Sequence, residues 1–191
     1  MGRSHQSFYN AIGDRVTSFV KAIASYCRQK GADVPLGIID DSWYQRSPGL
    51  AEEISAGGIV ARLEQGQVYI ALVRENRDPR YVLPKGGIDR GETIEQAARR
   101  EIREEAGFSQ LEYRADLGVR ERLTFSKKTW KKTHYFLFVT EQVQVKPSDR
   151  RVKEVRWFAI DALPDMLWPE QKALIDFNRT EIITLIKQPS D

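Results

Sequence analysis

Residues 93–107, TIEQAARREIREEAG, write both ends and the buried side of one helix. Thr93 and Gln96 form a capping box that starts it at about Ile94. Gly107 is the natural residue just past its end. Ile94, Ala98, Ile102 and Ala106 recur every four residues and make an apolar ridge. Ala97, Glu101 and Glu105 form the next row along, and Glu104 lies a turn from Glu101 on its other side. The helix must bury its ridge, and three carboxylates crowd the edge of that buried strip.

The flanking sequence supplies a surface for the ridge. Ser55–Leu63 and Gln67–Arg74 predict two strands joined around Glu64–Gly66. The stretch ENRDPRYVLPKGG that follows reads as a loop. Leu117–Thr124, Thr133–Thr140 and Val152–Phe158 predict three more strands. Pro169 opens a terminal helix that presents Ala173, Leu174, Phe177, Ile182 and Leu185 and stops before Pro189. Strands around an embedded helix, closed by a second helix, predict an α/β fold with a mixed sheet between helices. Ahead of it, Phe8, Ile12, Val16, Phe19, Val20, Ile23 and Cys27 recur at helical spacing, with Gly31 as a stop. Residues 32–53 read as a linker with an aromatic patch at Trp43–Tyr44. The expected division is an N-terminal helix and linker, 1–53, and a main domain, 54–191.

Composition removes several function classes. One cysteine, Cys27, excludes an intramolecular disulfide and a cysteine zinc cluster. No apolar run reaches membrane-spanning length, and the start, MGRSHQSFYN, lacks the apolar core of a signal peptide. These features lead us to expect a cytoplasmic protein with no membrane partner. The formal charge is +3, small for a protein that tracks a nucleic acid, which favours a small-molecule partner.

The acidic cluster needs a compensating charge. Like charges four residues apart destabilise a bare helix, and carboxylates beside a core cost more unless paired. Arg99, Arg100 and Arg103 are near in sequence, but an exposed guanidinium pair returns only about 0–1 kcal/mol. A divalent cation answers better. Mg²⁺ and Mn²⁺ take oxygen ligands from a few carboxylates together with water and phosphates. The helix also follows Gly86, Gly87 and Gly91, where backbone can approach a ligand closely.

The spacing then becomes recognisable: Gly86, five residues, Glu92, seven residues, Arg100–Glu101–Ile102, one residue, Glu104–Glu105, one residue, Gly107–Phe108. It resembles a complete Nudix box, and the preceding AGGIV strand and LPKGG turn are similar to that family as well. The resemblance implies the Nudix α/β/α sandwich and Mg²⁺- or Mn²⁺-dependent hydrolysis of a nucleoside diphosphate linked to another group. It implies metal ligation by Glu101, Glu104, Glu105 and the Gly86 carbonyl, with Glu104 and Glu105 central to catalysis. Arg100 would orient the glutamates, and Glu92 would support the loop–helix junction.

Other stretches bear on the substrate, a small nucleotide. KKTWKKTHYFLFV resembles the lysine-rich aromatic strand of Nudix enzymes acting on diadenosine and diphosphoinositol polyphosphates. That resemblance implies Lys132 facing the phosphates and Tyr135 flanking a base. If Thr133–Val139 alternates, His134, Phe136 and Phe138 share one face and Tyr135 and Leu137 the other. RRVKEVRWF resembles a later strand of the group, in which Glu154 would add a metal ligand or general base, with His134 its rival. Lys85, beside Gly86, would touch phosphate. The leading expectation is hydrolysis of diadenosine tetraphosphate or longer homologues to products such as ATP and AMP. ADP-ribose or a nucleotide sugar is the enzymatic alternative, in which Ser42–Arg46 could cover a base or pair subunits. A non-catalytic nucleotide-binding regulator is the alternative of another class, although all the box glutamates are present. The N-terminal helix offers a surface for a homodimer.

Overall fold

The computed structural model describes residues 37, 39–76 and 78–188. The helix expected over Phe8–Cys27 lies outside the described residues. The compact unit that carries the sheet begins at Ile39. Its elements are a 3₁₀ turn at Asp41–Tyr44, β1 (Ala51–Glu64), β2 (Gln67–Glu75), β3 (Tyr81–Val82), β4 (Lys85–Gly87), α1 (Ile94–Ala106), β5 (Glu112–Leu123), β6 (Thr129–Val139), β7 (Val152–Ala159) and α2 (Pro169–Lys187). Among the described residues no helix is long and apolar enough to cross a membrane.

The seven strands form a mixed sheet in the order β3-β2-β1-β6-β5, with β4 paired to β1 and β7 to β2. β1 and β6 run parallel, aligning Gly57 with Tyr135 and Ile59 with Leu137. The other pairs run antiparallel. Strand alternation sends Ile59, Ala61, Tyr135 and Leu137 into one core with Leu174, Ile175 and Ile182 of α2. The opposite face meets α1. A Cβ on Gly58 would lie 3.0 Å from Ile102, and the Arg99 guanidinium sits over the Phe138 ring. Burial of apolar surface on both faces holds the three layers together.

Helix α1 follows the sequence closely. Thr93 accepts the Gln96 N–H, the Gln96 side chain accepts the Thr93 N–H, and Gly107 closes the helix in the left-handed conformation. Three expectations change. The loop after β2 contains β3 and β4, and β4 lies across β1 at Ser55–Gly57. In α2, Phe177 is 85% exposed, and Gln171 and Asn178 share the buried stripe with Leu174, Ile175, Ile182 and Ile186. Those two polar residues hide the helical period from a reading based on hydrophobicity. Finally, the aromatic patch in the stretch read as a linker is packed. Trp43 meets Phe125 and Trp168 edge-on, and the Tyr44 hydroxyl donates to Glu170 at 2.6 Å. The boundary drawn at residue 54 therefore falls inside the compact unit.

Candidate active site

Two glycines let the strand β4 backbone lie close to its neighbours. A Cβ at Gly57 would fall 2.3 Å from the Pro84 carbonyl oxygen, so β1 and β4 can meet closely there. A Cβ at Gly86 would fall 2.1 Å from the carboxyl carbon of Glu101. The loop backbone thus abuts a carboxylate of α1, in space that any side chain at 86 would fill.

Arg100 fastens this junction. Its Nε and Nη2 donate to the two oxygens of Glu92 at 2.8 and 3.0 Å. Its Nη1 donates to Glu101 at 2.6 Å, and Nη2 also reaches the Gly87 carbonyl at 2.8 Å. Glu92 accepts the Asp89 N–H as well. The Arg100 hydrogen bonds hold the Glu92 carboxyl below its ordinary range.

Glu101 and Glu105 are each 8% exposed, at the edge of the ridge as the helical spacing requires. Glu104 keeps 44% of its side chain in solvent, 3.5 Å from Arg100. Glu105 accepts the Lys85 backbone N–H at 2.9 Å. Burial pushes its carboxyl up to about 7; Lys85 opposes the rise, and the charges of Glu101 and Glu75 add to it. An all-oxygen set of this kind, with backbone packed against one carboxylate, suits a hard divalent ion. As the side chains stand, no three acidic or histidine groups among the described residues converge to hold one. Glu101 is turned to Arg100, Glu105 to Lys85, and Glu104 to solvent.

The Lys85 ammonium is near enough to Glu105 for their charges to interact. Burial lowers its pKa, Glu105 opposes the fall, and Arg122 and Lys131 add to it, so the three cations feel one another. Arg122 and Lys131 are opposite each other on β5 and β6. Lys131 pairs with Glu53 at 2.6 Å, and Arg122 with Glu170 at 2.9 Å.

The structure separates other residues from this group. Lys132 pairs with Glu52 at 2.9 Å, and strand alternation turns it away from the side of Lys131. Tyr135 is 1% exposed in the core under α2, where Gln171 Nε2 donates to its hydroxyl at 2.8 Å. It has no free ring face for a base, so its expected stacking role is corrected. Lys132 and Tyr135 are three residues apart on one strand and so face opposite ways, which the sequence already implied. Glu154 is opposite Arg74 on β2, takes its Nε at 3.0 Å, and accepts from the Tyr81 hydroxyl. The Arg74 and Tyr81 hydrogen bonds hold its carboxyl down at about 2. A carboxylate so stabilised is a weak base, and its partners are not those of the α1 acids. His134 stands on the side of the sheet that carries Phe136 and Phe138.

Sequence reasoning passed over Arg151. Its guanidinium approaches Glu105 to 3.9 Å and is held by Asp149 at 2.6 Å. An arginine 46 residues beyond that glutamate carries no spacing signal; the loop before β7 brings it there.

The NUDIX domain profile matches residues 53–177, well over half of the chain. A protein described as a candidate mutator protein, MutT4, of Mycobacterium tuberculosis is 36% identical over 123 residues, 60% of this chain but only 49% of that protein. An 8-oxo-dGTP diphosphatase of Haemophilus influenzae is 36% identical over 120 residues, 62% of this chain and 84% of its own length. Among solved structures, the fold resembles an Ap4A hydrolase of C. elegans in a binary complex, with TM-score 0.61 and 22% identity over 69% of this chain and 98% of that one. The glycine-backed acidic helix, the layered sheet and the profile agree, and the chain belongs to the NUDIX domain family.

Proposed function

We propose that the protein is a divalent-metal-dependent hydrolase of a phosphoanhydride bond in a nucleoside diphosphate linked to another group. The observation that carries this reading is the packing of Gly86 against Glu101 beside buried Glu105 and exposed Glu104. Glu101, Glu104, Glu105 and the Gly86 carbonyl would hold Mg²⁺ or Mn²⁺. When bound, the ion supplies Lewis-acid neutralisation of phosphate charge and acidifies water.

The chain's own groups supply the rest. Arg100, anchored on Glu92 and Gly87, orients the Glu101 carboxylate. The Lys85 N–H orients Glu105. Lys85 and Lys131 form a short run of ammonium groups that favours a substrate with several phosphates, while buried Arg122 is committed to Glu170.

That run supports dinucleoside polyphosphates, diadenosine tetraphosphate first, as the substrate class. The diphosphatase similarity favours a second reading, a nucleoside triphosphate. The test is turnover of a panel with Mg²⁺ or Mn²⁺: dinucleoside polyphosphates, nucleoside triphosphates, ADP-ribose and nucleotide sugars, with products identified by chromatography. Good turnover of ADP-ribose and none of a dinucleoside polyphosphate would sink the first choice. Nucleotide binding without metal-dependent turnover, unchanged by Glu104→Gln or Glu105→Gln, would identify a regulator instead. Pairing of subunits through the N-terminal extension belongs to the same reading. Light scattering of the full chain beside one starting at Ile39 tests it.

A further inference from the structure

Beside α1 lies a cleft of about 360 Å³ lined by Glu75, Asn76, Arg150 and Arg151. It adjoins the acidic edge, because Arg151 Nη2 is 3.9 Å from Glu105 Oε1. Its lining carries two arginines and one glutamate, with Asp149 and Glu105 also against Arg151. None of the four lining residues belongs to the glycine–glutamate motif.

Arg151 is held in place and yet open to solvent. Asp149 accepts from its Nε at 2.9 Å and its Nη2 at 2.6 Å. A guanidinium carries further donors on its third nitrogen, Nη1. The side chain remains 75% exposed, so the ion pair is not there to fill a core.

The loop beneath is anchored on two sides. The Ser148 and Asp149 N–H groups donate to the Glu104 carbonyl at 3.0 and 2.9 Å. Asn76 donates from its backbone to the Arg151 carbonyl and from its side chain to the Arg150 carbonyl, each at 2.9 Å. The arginine is therefore referenced to the backbone of the helix that carries Glu104 and Glu105. A surface ion pair alone gains little from such anchoring, being worth about 0–1 kcal/mol. A planar cation fixed beside an acidic edge matches the geometry of a phosphate.

We infer that Arg151 is a substrate-binding residue that takes the oxygens of a phosphate in the cleft beside Glu105. This rests on the reading of α1 as the metal-bearing face. A polyphosphate reaching that face presents oxygens on both sides of the bond to be cleaved. One group is held at the glutamates and the next meets Arg151, with Arg150 at the outer wall. Charge that builds on the departing phosphate then has a fixed donor.

The experiment titrates inorganic tripolyphosphate in the presence of Mn²⁺ into wild type, Arg151→Ala and Arg151→Lys by calorimetry. Mn²⁺ affinity is measured separately by electron paramagnetic resonance, and folding by thermal melting. The expected result is a loss of about tenfold or more in tripolyphosphate affinity for Arg151→Ala, with Arg151→Lys between it and wild type. Mn²⁺ affinity should change less than about twofold, which a merely structural role would not produce. Tripolyphosphate binding equal to wild type in Arg151→Ala overturns the inference and leaves the metal-site reading intact. Equal losses of Mn²⁺ and tripolyphosphate affinity also overturn it. Should Arg151→Ala fail to melt cooperatively, Arg151→Lys decides. If both fail, Arg151 serves the fold and the inference falls. Wild type that binds neither Mn²⁺ nor tripolyphosphate overturns both readings.

Discussion

Gly86 and Glu101 meet so closely that one methyl group at 86 would stand 2.1 Å from the Glu101 carboxyl carbon. Glu101 cannot simply swing aside, because Arg100 grips it and the residue is largely buried. Gly86→Ala should cost about 1–3 kcal/mol through overpacking, read by denaturant unfolding. It should also weaken Mn²⁺ binding by roughly tenfold or more, since the displaced carboxylate is a proposed ligand.

Glu105 makes the metal-free protein sensitive to pH. Its carboxyl titrates near 7 in the fold against an ordinary 4.5, so the folded state holds a proton the unfolded state has lost. Stability should fall as pH rises from about 4.5 to 7, by about 3 kcal/mol at most. Glu105→Gln should flatten that slope in chelator, measured by urea unfolding at several pH values. With substrate and Mg²⁺, the same variant should lose about 10²-fold or more in kcat.

Glu154 should behave in the opposite sense. Its carboxyl sits near 2 in the fold, so its contribution is present above 4.5 and is lost as pH falls toward 2. Glu154→Gln should remove that part of the acid transition. Its kcat should stay within about fivefold of wild type, because its partners are Arg74 and Tyr81 rather than the α1 acids. A loss as deep as that of Glu105→Gln would restore Glu154 as the base.

Lys131 and Lys132 are neighbours in sequence and face opposite ways. Lys131→Ala should raise KM for a polyphosphate substrate by about tenfold, and Lys132→Ala by no more than about twofold. Steady-state kinetics on both variants reads the difference, with Lys131→Arg as the variant expected to recover much of the loss.

The segment ahead of β1 should matter for stability. A chain starting at Ile54 loses Trp43, Tyr44 and the first residues of β1, leaving Trp168 without its edge-on partner and Glu170 without the Tyr44 hydroxyl. It should melt several degrees below a chain starting at Ile39 in differential scanning calorimetry.

The sequence by itself determined helix α1, from the Thr93 cap to Gly107, and the positions of its three acids. Those features depend on neighbours three or four residues apart, so local spacing contains them. The strand periods and the need for a helix on each side of a sheet were legible for the same reason. Only tertiary structure decided which charged groups meet. Parallel pairing of β1 with β6 set the face of Lys131 and sank Tyr135 under α2, while pairing of β7 with β2 gave Glu154 to Arg74. It likewise brought Arg151 to Glu105 and folded Trp43 onto Trp168. Such contacts join residues far apart in the chain, and no local period records them.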